Sequence, residues 1–304
     1  MCEELNKKDE YWREAVAELA ADTTHGSLFL ANQALDIIED YIRQQLYRNR
    51  TELIQNLSKL SNALVRAKPL MALIYTRAEH ILEFIQAIPK EERNIEIIRE
   101  KTLDEITNLR RQAEENSKAV TKFGARLILD QHIVLTHSAS AAVEAVLLEA
   151  RRQKKRFRVI CTESRPGMEG KMLAERLAKA GIKTRLIPDA DITRAVANAH
   201  FVLSGCDRIT ENTFVNKTGT AAINTLALHQ SKPFYLVAET GKILLKRTYP
   251  VRFQSQNEHE LFKNPPDNLT VSNIYFEEVP ITDIHKVICE KGIFELPEFM
   301  DRYL

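Results

Sequence analysis

Cysteine is scarce in this 304-residue chain: Cys2, Cys161, Cys206 and Cys289 lie far apart, with no Cys-x-x-Cys pair. That excludes a disulfide scaffold and fits a reduced, cytoplasmic protein. His, Cys and carboxylates show no spacing typical of zinc or calcium sites, so neither a metal nor a cofactor is expected. Long uncharged apolar runs are missing too. None approaches the roughly 18 to 20 residues that span a bilayer, so no membrane partner is expected. Residues 1–14 are polar and charged, unlike a secretory signal or a transit segment. No excess of one sign exists: 43 Lys and Arg face 42 Asp and Glu, a net charge of +1. Such balance gives no strong nucleic-acid signal. Glycine is nearly absent from the first 126 residues, where only Gly26 and Gly124 occur, so few tight turns are available there. What is present, 44% hydrophobic and 28% charged residues, is an ordinary globular composition with length for about two domains.

The first 120 residues repeat one pattern. Trp12, Val16 and Leu19 are spaced by four and three; Leu30, Ala34, Ile37 and Tyr41 continue it, as do Leu53, Leu57, Leu60 and Leu64, and Ile74, Ala78, Ile81 and Ile85. Each set puts its apolar groups on one helix face. Pro69 and Pro89 punctuate the series, because proline donates nothing to the helical ladder. Residues 91–120 read as one long helix. A helical domain over residues 1–120 is the expectation.

The period then changes. Short β-rich runs at 133–136, 158–162, 184–187, 201–204 and 234–238 alternate with helical stretches at 140–151, 170–180, 191–198 and 220–229. Apolar strands alternating with helices imply βαβ units, hence a Rossmann-like α/β domain over residues 121–304 with a mainly parallel, doubly wound sheet. Residues 272–276 are expected to add an edge strand and residues 283–290 a helix. Residues 254–268 read as a long, mobile loop.

Ligands of open α/β sheets bind beyond the carboxyl ends of the strands. After the first strand come His137, Ser138 and Ser140; after the second, Glu163, Ser164 and Arg165; after the fourth, Asp207, leading to Asn216, Lys217 and the start of a helix; after the fifth, Lys242. Cations, hydroxyls and a helix N-terminus at one edge make an anion site, most naturally for phosphate. The carboxylate of Asp207 offers acid/base chemistry. His137, Ser138 and Asp207 do not make a hydrolase triad, since no Gly-x-Ser-x-Gly elbow is present. Cys206 reads as a buried small side chain, with a displaced reactive thiol as the alternative. The basic run over residues 151–158 reads as a solvated helix end.

At these residues the chain resembles the alpha, beta and delta subunits of translation initiation factor 2B, with their relatives ribose-1,5-bisphosphate isomerase and methylthioribose-1-phosphate isomerase. Asn216-Lys217-Thr218-Gly219-Thr220 matches the family's Asn-Lys-x-Gly-Thr, Gly205-Cys206-Asp207 its Gly-x-Asp, and Glu163-Ser164-Arg165-Pro166 its Glu-[Ser/Thr]-Arg-Pro. Residues 233–242 match a later strand, and His25-Gly26-Ser27 resembles the segment that opens the family's N-terminal ligand contact.

The resemblance implies a phosphorylated small-molecule ligand, bound between the two domains by Asn216, Lys217, Lys242, Arg165, Ser140 and the segment His25, Gly26 and Ser27. It also implies a homodimer or higher homo-oligomer, and a protein partner in translation. In isomerase relatives a Cys after Thr-His and the Asp of Gly-x-Asp do the proton chemistry. Asp207 is here; the Cys position is Ser138. His25 in place of an Arg, and Thr213 in place of a Gly, are further departures. A serine hydroxyl is far less acidic than a thiol, whose ordinary pKa is about 8.5. The expectation is therefore an initiation factor 2B-related protein that binds a phosphorylated sugar or nucleotide, regulatory or weakly catalytic. The alternatives are an aldose–ketose isomerase acting on a sugar 1-phosphate such as ribose 1,5-bisphosphate, and a non-catalytic subunit of a translation-related assembly.

Overall fold

A computed structural model describes residues 12–44 and 46–304; Cys2 lies outside the described residues. The chain divides after Glu115 into two compact units.

The first unit is helical: α1 (Arg13–Ala21), α2 (Ser27–Arg43), α3 (Arg50–Ala67), α4 (Ala72–Ala87) and the start of α5 (Ile95–Leu127). The apolar stripes read in the sequence are its core, since Leu19, Leu30, Leu53, Leu60, Leu64 and Ile85 are fully buried. Side chains set the helix ends. The Asn49 side chain accepts from the Glu52 amide at 3.0 Å, and Glu52 accepts from the Arg48 amide at 2.7 Å, a reciprocal cap at the start of α3. The Arg50 guanidinium donates to the carbonyls of Ile85, Gln86 and Ile88, which are left without helical partners at the end of α4. Pro69 and Pro89 fall just beyond the ends of α3 and α4, as expected of helix stops.

The second unit holds a seven-stranded sheet in the order β10-β9-β7-β4-β1-β2-β3. Its strands are β1 (Ile133–Thr136), β2 (Arg158–Thr162), β3 (Lys183–Ile187), β4 (Phe201–Gly205), β7 (Phe234–Val237), β9 (Lys286–Cys289) and β10 (Gly292–Glu295). All neighbouring pairs are parallel except the hairpin of β9 with β10. Helices α6 (Ala141–Arg152) and α7 (Glu169–Lys179) bury Val143, Val146, Leu147, Leu173 and Leu177 against one face of the sheet. Helices α8 (Ile192–Asn198) and α9 (Thr220–His229) bury Ala195, Val196, Ile223 and Ala227 against the other. Two cores on two faces make the sheet doubly wound, and its strands read as continuous apolar runs for that reason.

Three features differ from the sequence reading. A second, antiparallel sheet forms from β5 (Arg208–Ile209), β6 (Thr213–Lys217) and β8 (Phe276–Pro280), so Asn216 and Lys217 end a strand rather than start a helix. Residues 286–289, expected to be helical, form β9: its backbone pairs with both β7 and β10, and the two core layers bury Val287 and Cys289 on one face and Ile288 on the other. The final helix is instead α10 (Leu296–Tyr303). The 254–268 segment is irregular as expected but tied down: Glu260 accepts hydrogen bonds from the Asn273 amide, at 2.9 Å, and from the Tyr275 hydroxyl.

Candidate functional site

The strand order reverses at β1, which has β2 on one side and β4 on the other. In open α/β sheets ligands bind at such a reversal, beyond the carboxyl ends of the strands. Ser140 follows β1 and caps α6, its hydroxyl accepting from the Val143 amide at 3.4 Å. It also lies against Gly205, the last residue of β4: a Cβ there would stand 2.3 Å from the Ser140 oxygen. Glycine at 205 is thus the condition for the two segments to meet.

The loop after β2 is fixed by a residue not singled out in the sequence. Asp189, just past β3, accepts from the Ser164 and Arg165 amides, both at 2.8 Å. The Ser164 hydroxyl in turn accepts from the Ser138 amide at 2.8 Å. These bonds hold Ser138 and Ser164 at φ values of 66° and 62°, a left-handed conformation unusual for serine. Strained backbone of this kind persists where surrounding contacts over-determine it. The Arg165–Pro166 peptide is cis. The Arg165 side chain is exposed and makes no ion pair among the described residues.

His137 sits beneath this loop, buried. Its Nε2 lies 3.0 Å from the Thr218 carbonyl and its Nδ1 2.6 Å from the Thr162 hydroxyl. A carbonyl only accepts, so Nε2 carries the proton and Nδ1 accepts from Thr162: a neutral imidazole. Burial lowers its pKa, partly opposed by the bond to Thr218 and by Asp189 and Glu169. Both ring nitrogens are committed to structure. Gly219, with φ 109°, passes so close that a Cβ would lie 3.0 Å from Nε2.

Lys217 is 2% exposed. Its ammonium lies 2.8 Å from Glu169 Oε1 and 4.2 Å from the centre of the Tyr275 ring. The same Glu169 oxygen accepts from the Ser138 hydroxyl at 3.2 Å. One carboxylate at the head of α7 therefore links a residue after β1 to the end of β6. Asn216, also buried, donates through Nδ2 to the hydroxyls of Ser204, at 3.1 Å, and Thr220, at 3.0 Å. The helix start expected to attract an anion is already filled: Glu277 on β8 accepts from the Gly219 and Ala221 amides at the head of α9, both at 2.8 Å.

Lys242 is buried and donates to the Cys206 carbonyl at 2.6 Å. That carbonyl immediately precedes Asp207, whose amide donates to Val215 at 2.9 Å. Burial pushes the Cys206 thiol up to about 12, the Lys242 charge lowering it and Asp207 raising it. At neutral pH it is a protonated core group, not the displaced nucleophile the sequence left open. Cys161 is likewise pushed up to about 12 by burial.

The structure thus gathers Ser138, Ser140, Asn216, Lys217, Lys242 and Asp207 along the carboxyl ends of β1, β4, β6 and β7. It adds Glu169, Asp189 and Glu277. An acidic residue at a helix head was the only local sign of Glu169; Asp189 and Glu277 act over 24 and 56 or more residues of chain and leave no local sign. His25, Gly26 and Ser27 belong to the helical unit. There, Asp22 accepts from the amides of Thr24 and His25, at 2.9 and 3.0 Å, and lies 2.6 Å from His25 Nδ1. The His25 ring stacks on Phe29 with centroids 4.0 Å apart. Gly26 precedes α2 with φ −79°, which any residue can adopt.

The Initiation factor 2 subunit family model matches residues 23–296. A translation initiation factor eIF-2B subunit 2-like protein of Pyrococcus furiosus is 29% identical over 286 residues, covering 93% of this chain and 96% of that one. Ribose 1,5-bisphosphate isomerase of Methanocaldococcus jannaschii is 28% identical, covering 87% of this chain and 85% of that one. The crystal structure of translation initiation factor eIF-2B from Pyrococcus horikoshii superposes with a TM-score of 0.80 at 27% identity, covering 95% of this chain and 98% of that one. With a family model matching nine-tenths of its length, the chain belongs to the initiation factor 2 subunit family.

Proposed function

We propose that this protein binds a phosphorylated sugar or nucleotide at the carboxyl edge of its large sheet and acts as a regulatory member of its family. The observation that supports this best is the buried Lys217 ammonium, which shares the single carboxylate of Glu169 with the Ser138 hydroxyl. An incoming phosphate offers the same kind of acceptor with more negative charge, and can replace Glu169 on Lys217. Asn216 and Ser140 supply further polar groups beside it. Lys242 acts at one remove, orienting the turn that presents Asp207 through the Cys206 carbonyl. Arg165, exposed in the neighbouring loop, is free to reach an anion. The ligand-bound protein would then be the form a partner reads. A homodimer in the cytoplasm is part of the same reading.

The regulatory reading rests on Ser138. A hydroxyl engaged with a carboxylate does not supply the thiolate that isomerase relatives use at this position. The test is a thermal-shift panel of sugar phosphates and nucleotides followed by a product assay on each hit. Stabilisation without turnover is the expected result; no shift with any phosphorylated compound would contradict it.

One observation favours a second reading. Glu169, 3.2 Å from the Ser138 hydroxyl, provides a second carboxylate beside the site, so Asp207 and Glu169 together could move a proton between C1 and C2 of an open-chain sugar phosphate. That reading requires ketose formation from ribose 1,5-bisphosphate, abolished by both Asp207→Asn and Glu169→Gln.

A further inference from the structure

The opposite, amino-terminal end of the sheet carries a second polar feature, entirely within the α/β unit. Helix α8 has only seven residues, about 10 Å at 1.5 Å per residue, and covers the β2–β3 face only near Ile160 and Ile187. The rest of that face is open. It forms a cavity of about 530 Å³ lined by Ile133, Arg158, Ile160, Lys183, Arg185 and Asn198.

Strand register explains why three cations meet there. Arg158 pairs with Lys183, and Ile160 with Arg185, in a parallel ladder. Ile160 packs against α8, so residues two apart on β2, and their partners on β3, share its side. All three cationic residues are exposed, and among the described residues none of their side chains makes an ion pair or a hydrogen bond, although the Arg185 charge helps lower the pKa of Asp191. Nearby cations behave differently: Arg194 is held by Asp191 at 2.6 Å, Arg176 by Glu144 at 2.8 Å and Lys179 by Glu175 at 2.7 Å. Lysine and arginine on β3 serve to keep an edge strand from pairing with other chains. Arg158 is on an interior strand and has no such task, yet it points to the same cavity.

We propose that this cavity is a binding site for a chain of two or three linked phosphates, free or carried on a nucleoside, separate from the carboxyl-edge site. Its volume lies within the range of small-molecule sites, about 300–1,000 Å³. Two guanidiniums and an ammonium supply the charge and the donors that successive phosphate groups take. The Asn198 amide, which also donates to the Arg194 carbonyl at 2.8 Å, lies at the rim, and Ile133 offers an apolar surface to a base.

The test is calorimetric titration of the whole chain with inorganic tripolyphosphate, a nucleoside triphosphate, orthophosphate and a poly-glutamate peptide. Saturable binding of tripolyphosphate is expected, weaker binding of orthophosphate, and steep weakening with salt. Tighter binding of the nucleoside form would identify it as the source of the phosphates; equal binding would identify the free chain. The Arg158→Gln/Arg185→Gln double variant, changed only at exposed positions, should bind at least tenfold more weakly. Lys217→Met, altered at the other end of the sheet, should lose only what binds at the carboxyl edge and keep the tripolyphosphate isotherm of this cavity. Unchanged affinity in the double variant, loss of that isotherm in Lys217→Met, or poly-glutamate binding in place of both linked phosphates would overturn the proposal. Since the two variants lie at opposite ends, failure here leaves the carboxyl-edge reading standing, and the reverse also holds.

Discussion

Lys217 and Glu169 meet 2.8 Å apart at the edge of the sheet, the lysine almost without solvent and the glutamate partly open to it. A buried cation is tolerated only when it is paired, and breaking a fully buried pair costs about 3–5 kcal/mol. Glu169→Gln leaves the lysine charge with an amide, and the partial exposure of Glu169 softens the loss to about 2 kcal/mol. Denaturant unfolding should show it as a lowered midpoint with unchanged slope. The variant should also regain more stability from a phosphorylated ligand than the unaltered protein does, because no internal carboxylate competes for Lys217. Equal ligand-induced shifts in the two proteins would argue that phosphate does not reach this lysine.

The meeting of Ser140 with Gly205 makes a sharper steric prediction. A methyl group at 205 would lie 2.3 Å from the serine oxygen and 2.7 Å from its Cβ. Gly205→Ala should therefore displace the α6 cap and cost about 1–3 kcal/mol. In a Ser140→Gly background most of that cost should vanish. A double-mutant cycle reads the coupling directly, and additive effects would contradict the contact.

Acid should weaken the fold in a defined window. His137 and His132 both have pKa values lowered chiefly by burial. The unfolded chain then binds more protons than the folded one below the ordinary histidine value of about 6.5. Their contribution is complete above that pH and is lost as pH falls from it toward the folded values. Melting temperature should drop between pH 7.5 and 5.5, and drop less in His137→Gln. A flat profile over this range would contradict a neutral, buried His137.

Much of the second unit was legible in the sequence because parallel strands, covered on both faces, read as unbroken apolar runs between helical segments. β6 was hidden by its last two residues: Asn216 and Lys217 look like loop residues, and are buried only because Ser204, Thr220 and Glu169 satisfy them. β9 was read as helix because short apolar runs such as Val287-Ile288 fit either period, and only pairing with β7 and β10 decides. At the candidate site, the cations and Asp207 stood out by their positions after strands. Glu169, Asp189 and Glu277 did not, since a single carboxylate on a polar surface looks the same whether it faces water or a backbone amide far along the chain. The helix start foreseen as an anion site was met by Glu277 for the same reason: β8 had not been placed beside it.

The most direct measurement is a calorimetric titration of the whole chain with ribose 1,5-bisphosphate and a matched set of other sugar phosphates, repeated on Lys217→Met. Saturable binding of at least one phosphorylated sugar to the unaltered protein, weakened at least tenfold in the folded variant, is the predicted result. Absence of binding across the set, or equal affinity in both proteins, would contradict a phosphate site at the carboxyl edge of the sheet.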